Sequence, residues 1–533
     1  MFNQTLVPVG SLWVTVLVSL VPVIFLLFLL AVLRMTAWLA TLVAGLVTIP
    51  IGVLVWRAPF AATLRSYLYG GLTGVWVVDW ITFWGLILFN TLVLTGDFER
   101  FRKWMVSQAT ADVRIQTIML AWAFGALLEG LVGFGYPWAV VTPILIGLGI
   151  VDLEAIRLAA LANNAPVSFG ALGSPILALA AVTGLPLMAL SASVGDVVAV
   201  LALLPPWVLI YLVSGWEGVV EAWPLAIVAS LSYILGQWPV SHSLGPYLPD
   251  LSGALVSFWI LFLFVKVWKP KTIRGFGGAP VAIRAEAPVG ESVGISALRA
   301  WMPYLVLIAV VVAWTGPWSG LPGVSLFKAQ VEAVSSISGK VISSLFNFNP
   351  LGGGTAILAS WLVILLFLRP SGNILKQVFV KTFKQMWGAL LVGFFIFGLA
   401  YVFVFTGMAN SLAYAFAKVG PWFVLLAPVL GWIGVALSGS NTSTNAMFGP
   451  LQAATGRLLH LPVLLLPSLN SVGAEVGKPV APQTASVGVS TSSYVRSEGQ
   501  VIRHNMAWTL AVLAYLIVIG AVFYVGFPHV MAL

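Results

Sequence analysis

One stretch of this chain is written twice, and both copies interrupt an apolar segment. Residues 122–175 centre on ALLEGLVGFGYP and LANNAPVSFGALGSP, and residues 432–483 centre on ALSGSNTSTNAMFGP and LPSLNSVGAEVGKPVAPQ. In each copy an apolar run breaks at a Gly-rich polar turn, and a second apolar run breaks around Asn. Asn163, Gly170 and Pro175 fall 307 positions before Asn470, Gly477 and Pro482, while Gly125 and Gly130 fall 309 before Gly434 and Gly439. A long internal repeat of interrupted hydrophobic segments is the pattern of a carrier whose site lies near the bilayer midplane.

The surrounding sequence supplies the membrane. With 60% hydrophobic and 8% charged residues, and a mean hydropathy of +1.04 over 533 residues, the chain reads as an all-α polytopic membrane protein. It has no Cys, which excludes disulfides, thiolate metal sites and a Cys nucleophile. His242, His460, His504 and His529 lie in loops or near span ends and are not spaced as metal or haem ligands. No GxSxG, HExxH or phosphate-binding Gly loop stands in a suitable context, so a membrane-embedded enzyme is disfavoured and no cofactor is called for.

In chain order, transmembrane helices are expected near 12–33, 36–56 and 72–95. The first lacks the basic start and small-residue cleavage site of a signal peptide, so it is kept as an anchor. A charged connection, 96–115, leads to a re-entrant hairpin at 116–149 and a broken helix at 155–183. Spans near 189–214, 219–238 and 250–268 complete an N-terminal half, 1–268. The Pro- and Gly-rich basic segment 269–299 reads as a cytoplasmic linker. The C-terminal half, 300–533, holds spans near 301–318, 354–368 and 386–406, a second hairpin at 421–457, a broken helix at 460–489 and a last span at 505–527. Between them, Val324, Phe327, Val331, Val334, Val341 and Leu345 approximate a helical stripe. It reads as an interfacial amphipathic helix, with a homo-oligomer contact as the alternative.

Charge sets the orientation. With the N-terminus outside, eighteen of the 25 basic residues fall on cytoplasmic connections. Arg57, Arg65, Lys328, Lys340, Lys418 and Arg457 fall outside, and Lys478 lies within the membrane. The positive-inside rule therefore predicts about twelve crossings with both termini extracellular. The net charge of +9 is accounted for without a nucleic-acid partner. On this count the spans preceding the two hairpins are seven crossings apart, so the copies run in opposite directions as an inverted repeat.

Non-helical backbone at membrane depth survives only where it lines a cavity or is buried in protein. Gly130, Gly133 and Gly135 permit tight turns, and Ser438, Ser440, Asn441, Thr442, Ser443 and Asn445 offer hydroxyls and amides. Helix N-termini that start at such turns attract anions. The competing reading, that Gly and Ser merely allow close helix packing, is weaker for two matched copies than for one.

ALLEGLVGFGYPWAV, LANNAPVSFGALGSPI, GSNTSTNAMFGPLQ and NSVGAEVGKPVAPQ together resemble the signature blocks of the L-lactate permease family, which includes glycolate permeases. The four motifs occur in the family's order, and GWEGVVEAWP and GPYLPD extend the resemblance over nearly the whole chain. It implies proton-coupled symport of a small 2-hydroxymonocarboxylate anion, L-lactate, D-lactate or glycolate, across the plasma membrane. Through these motifs it places substrate contacts at Glu129, Gly130, Gly133, Asn163, Asn164, Ser440, Asn441, Thr442, Asn445, Asn470, Lys478 and Gln483. A weaker resemblance, through Ser440-Asn441-Thr442 and the paired hairpins, reaches sodium-coupled dicarboxylate carriers whose hairpin domain moves as an elevator. A sodium-coupled carboxylate carrier is thus the alternative function. Two departures stand out: the family's GSDTSSN has Asn441 here, and its Gly-Arg pair in the fifth span is Gly195-Asp196.

Among the acids, Glu129 stands in a Gly-rich break with no basic residue nearby in sequence. A carboxyl held without counter-charge in hydrocarbon favours its neutral form, which suits a proton carrier; a permanently protonated helix cap is the other reading. Asp79 reads as a local helix contact. Lys478 reads either as the counter-charge of the substrate carboxylate or as the partner of Glu475, three residues before it.

Overall fold

The computed structural model describes residues 1–107, 110–133, 135–279, 297–494 and 497–533. Among these, eight helices are long and apolar enough to cross a membrane, or nine if the bent pair Asp152–Ala162 and Val167–Thr183 counts as one span. The chain is a mostly helical, multi-pass membrane protein. Of the expected linker 269–299, residues 280–296 lie outside the described residues.

Both copies of the repeat fold as pairs of short helices. In the first, helix Phe124–Leu131 is followed by helix Tyr136–Gly147, and Gly133 and Gly135 take positive φ (67° and 78°) between them. In the second, Phe423–Ser438 ends at Gly439 (φ 74°), whose N–H closes the turn on the Val435 carbonyl at 2.7 Å. Ser440 then caps Asn441–Leu458, its Oγ accepting from the Ser443 N–H at 3.2 Å.

The Asn segments break in different places. In the first copy the helix stops at Ala162, and the chain passes through Asn163-Asn164-Ala165-Pro166 before helix Gly170–Thr183. Pro166 has no N–H to continue a helix. In the second copy the helix runs through Asn470 to Gly477 and breaks at Lys478–Val480, where Pro479 falls. The break anticipated around Asn470 is therefore displaced to Lys478.

The segment expected to be an amphipathic helix is a β-hairpin. Strands Phe327–Val334 and Val341–Phe348 pair antiparallel, from Phe327 with Phe348 to Val334 with Val341. Alternation in FKAQVEAV and VISSLF, with Gly339 (φ 65°) in the turn, outweighs the approximate helical stripe. Phe2–Asn3 adds a third, parallel strand against Ala333 and Val334, tying the N-terminus to this hairpin. The span expected at 386–406 belongs to a longer helix, Gly372–Thr406, which carries Lys376, Lys381 and Lys384. Helices Leu187–Leu201 and Pro205–Ser243 cover the next expected spans, with Gly215 (φ 68°) breaking the second.

Candidate functional site

Both hairpin tips, the Lys478 break and the segment from Val167 to Pro175 that follows the first break converge on a cavity of about 500 Å³. Of the residues singled out in the sequence, Glu129, Gly133, Ser440, Asn441, Thr442, Lys478 and Gln483 line it. Gly130, Asn163, Asn164, Asn445 and Asn470 do not. Gly130 packs on Asp250, where an added Cβ would come within 2.8 Å of the Asp250 Cβ. Asn445 and Asn470 form a buried layer behind the wall: Asn470 Nδ2 donates to Asn445 Oδ1 at 3.0 Å, and Asn445 Nδ2 donates to the Pro175 carbonyl and to Ser471 Oγ, both at 3.0 Å. These amides hold the second hairpin, the second broken helix and the first broken helix together.

The charges pair across the repeat. Lys478 Nζ lies 2.7 Å from Glu129 Oε1, with the side chains 7% and 2% exposed. Asn163 Nδ2 donates to the other carboxylate oxygen of Glu129 at 3.0 Å. Glu129 is thus not the unpaired acid its sequence surroundings suggest, and Lys478 does not pair with Glu475. Glu475 instead accepts from the Ser168 N–H at 3.1 Å and from the Ser168 hydroxyl. Removing one partner of a buried charge pair is strongly destabilising, by about 3–5 kcal/mol.

The polar wall opposes two helix starts. Ser174 Oγ and Thr442 Oγ1 lie 3.4 Å apart, bringing the turn before the inner part of helix Gly170–Thr183 beside the start of Asn441–Leu458. Ala171 and Leu172 take left-handed φ (45° and 56°), each costing about 1–3 kcal/mol for a residue with a side chain. Gly173 follows at φ 80°, so close to the Pro246 carbonyl that a Cβ would overlap it. Asn441 is buried at the cavity with neither side-chain amide atom hydrogen-bonded. The start of helix Asn441–Leu458, the unbonded Asn441 amide and the Lys478 ammonium, itself paired with Glu129, thus all lie at the cavity.

Sequence reasoning missed Tyr136, Ser174, Gln385 and Thr484, which also line the cavity. Gln385 Nε2 donates to Tyr136 Oη at 2.8 Å and its Oε1 accepts from Asn90 at 2.8 Å, bridging the first hairpin to helices Trp80–Leu94 and Gly372–Thr406. Nothing in KQMW marks this role. Asp79, read as a local helix contact, also lines the cavity, and its Oδ2 has no hydrogen-bond partner.

Residues 15–527 match the family described as L-lactate permease. The chain belongs to that family. It is 34% identical to the glycolate permease GlcA of Escherichia coli K12, covering 96% of this chain and 95% of that one. It is likewise 34% identical to the L-lactate permease of Bacillus subtilis strain 168, covering 97% of each, and 31% identical to the L-lactate permease of E. coli K12 over 96% of each. Among solved structures, the YdaH transporter of Alcanivorax borkumensis superposes with a TM-score of 0.51 at 16% identity, over 93% of this chain and 99% of that one. That likeness extends to the fold alone. In this permease-family chain, Lys478 and Glu129 lie in a cavity lined by residues of both hairpins.

Proposed function

We propose that this permease carries L-lactate, D-lactate and glycolate across the plasma membrane together with a proton, by alternating access around the Lys478–Glu129 pair. The pair is the observation that carries the reading. In the empty site, ammonium and carboxylate neutralise each other. A proton on Glu129 neutralises the acid and leaves Lys478 free for the substrate carboxylate. Asn441 and the Ser440 and Thr442 hydroxyls then face the 2-hydroxyl group, and Val167 and Met447 supply apolar wall.

Both end states are neutral. The empty site holds one ammonium and one carboxylate; the loaded site holds one ammonium, one substrate carboxylate and a neutral Glu129. Proton without anion, or anion without proton, leaves a buried charge uncompensated. At about 3–5 kcal/mol this suppresses slippage by roughly two to three and a half powers of ten.

Glu129→Gln tests the coupling. Gln leaves Lys478 permanently available, so the loaded carrier forms and exchange of internal for external lactate persists. The empty carrier must return with a lone ammonium, so net accumulation driven by a pH gradient falls at least about a hundredfold. Proteoliposomes given pH and sodium gradients separately read both quantities. Wild-type accumulation by the variant would make Glu129 structural, and accumulation in wild type under a sodium gradient alone would favour the sodium-coupled alternative.

The architecture we propose is twelve crossings with two oppositely oriented re-entrant hairpins. The halves 1–268 and 300–533 are joined by the cytoplasmic linker, the hairpin domain moves as an elevator, and both termini are outside. Pairing of Phe2–Asn3 with the strand that carries Lys328 supports one side for the N-terminus and the 327–348 hairpin. Arg114, bound to Asp112 at 2.6 Å, to Glu221 at 3.0 Å and to the Thr272 carbonyl at 2.7 Å, groups the basic connections together. Arg274, 2.7 Å from Glu221, is held even more firmly protonated than a free guanidinium. Because the chain has no Cys, a single cysteine at Lys340 should react with an impermeant thiol reagent in intact cells, and one at Lys271 should be protected. The reverse pattern inverts the orientation.

A further inference from the structure

Asp79 is a membrane-embedded acid that the exchange between Glu129 and Lys478 does not use. It is 6% exposed and lines the same cavity, and its Oδ2 has no hydrogen-bond partner. It closes a π-helical turn, Gly74–Asp79, set between helices Phe60–Thr73 and Trp80–Leu94. Such turns widen a helix by one residue and concentrate at functional positions. The facing helix Gly372–Thr406 presents Gly393, where an added Cβ would lie 2.6 Å from the Asp79 carboxyl carbon. Any side chain at Gly393 would overlap the Asp79 carboxyl group.

The elements packed on this turn are Phe60–Thr73, Trp80–Leu94, Gly170–Thr183, Gly353–Leu368 and Gly372–Thr406. Their titratable side chains are Arg65, Tyr67, Tyr69, Lys376, Lys381, Lys384 and Tyr401, and none is bonded to Asp79 among the described residues. Across the cavity, Lys478 is engaged by Glu129. An ionised carboxylate here is stabilised only by water in an open cavity, and expelling that water leaves a bare charge.

We propose that Asp79 is a second proton-binding group of the cavity, which must hold a proton before the cavity can close. The proton joins a carboxylate oxygen from cavity water while the site is open and leaves when water returns. It is distinct from the proton exchanged on Glu129, although the transport readout rests on the coupling reading above.

Two measurements test this. Each proton that must be bound adds a slope of about one decade per pH unit to the alkaline limb of the rate. With Glu129 and Asp79 both required, wild-type lactate exchange should fall about a hundredfold per unit, and Asp79→Asn, permanently neutral, about tenfold. If Glu129 carries no proton, both slopes drop by one and their difference remains. Equal slopes in wild type and variant overturn the proposal. The second measurement uses wild-type protein in liposomes and depends on neither variant folding nor substrate. Dicyclohexylcarbodiimide, which attacks protonated carboxyl groups in apolar surroundings, should form an adduct at Asp79 that declines as pH rises, read by peptide mass spectrometry. No adduct at any pH, or one indifferent to pH, also overturns it.

Discussion

Lys478→Gln should reduce pH-driven lactate accumulation to background and raise the apparent KM for exchange at least about tenfold, or ~1.4 kcal/mol. Two losses combine. The substrate carboxylate loses the ammonium that compensates it outside water, and Glu129, 2% exposed and now without its partner at 2.7 Å, becomes an orphaned acid. The second loss is one of stability, about 3–5 kcal/mol, and should appear as poor yield of folded protein. The double variant Glu129→Gln with Lys478→Gln separates them. Two neutral side chains can hydrogen-bond where the ions stood, so yield should recover, while accumulation should stay lost because neither proton nor anion has a charged site. Recovery of accumulation in the double variant would show that the pair serves only to hold the hairpin on the broken helix. Glu475→Gln should not rescue Lys478→Gln, since Glu475 is bonded to Ser168.

What could be read from the chain without coordinates follows from how local each feature is. A positive-φ glycine followed by a hydroxyl cap, as at Gly439 and Ser440, is written in adjacent residues and marks that turn in the sequence, while at Gly133 and Gly135 the glycines alone mark it. The repeat aligns Asn163 with Asn470, but the two helices break at different places because Pro166 and Pro479 stand at unequal distances beyond them. The Glu129–Lys478 pair spans 349 positions and leaves no trace in spacing. Proximity misdirected instead. Glu475 and Lys478 are three apart, but the helix ends at Gly477 and the chain tightens at Lys478, so the two do not share a continuous helical face. For Asp79 the missing element was its surroundings. An acid in an apolar run looks the same whether its neighbour offers a partner or, as Gly393 does, only bare backbone for the carboxyl group to pack on.

The closeness of the second hairpin to the second broken helix yields the other large effect. Gly431 on Phe423–Ser438 and Gly473 on Leu465–Gly477 face each other's backbone. A Cβ at Gly431 would overlap the Asn470 carbonyl, and one at Gly473 the Pro428 carbonyl. In lipid there is little hydrophobic force to draw helices together, so close backbone contact and the polar bonds it permits carry the association. The obstructing atoms are main chain and cannot swing aside, so the helices must part, shifting the Asn470–Asn445 bond and the Lys478 turn that follows. Gly431→Ala and Gly473→Ala should each cost about 1–3 kcal/mol or more, seen as a lower Tm in detergent and reduced folded yield. Gly499→Ala is the control. It lies in the first turn of helix Glu498–Gly526 with open space around it, so the added methyl group should leave the protein about as stable as wild type. If either Gly431→Ala or Gly473→Ala matches Gly499→Ala in Tm, the two segments are not packed backbone to backbone and cannot move as the single body that an elevator requires.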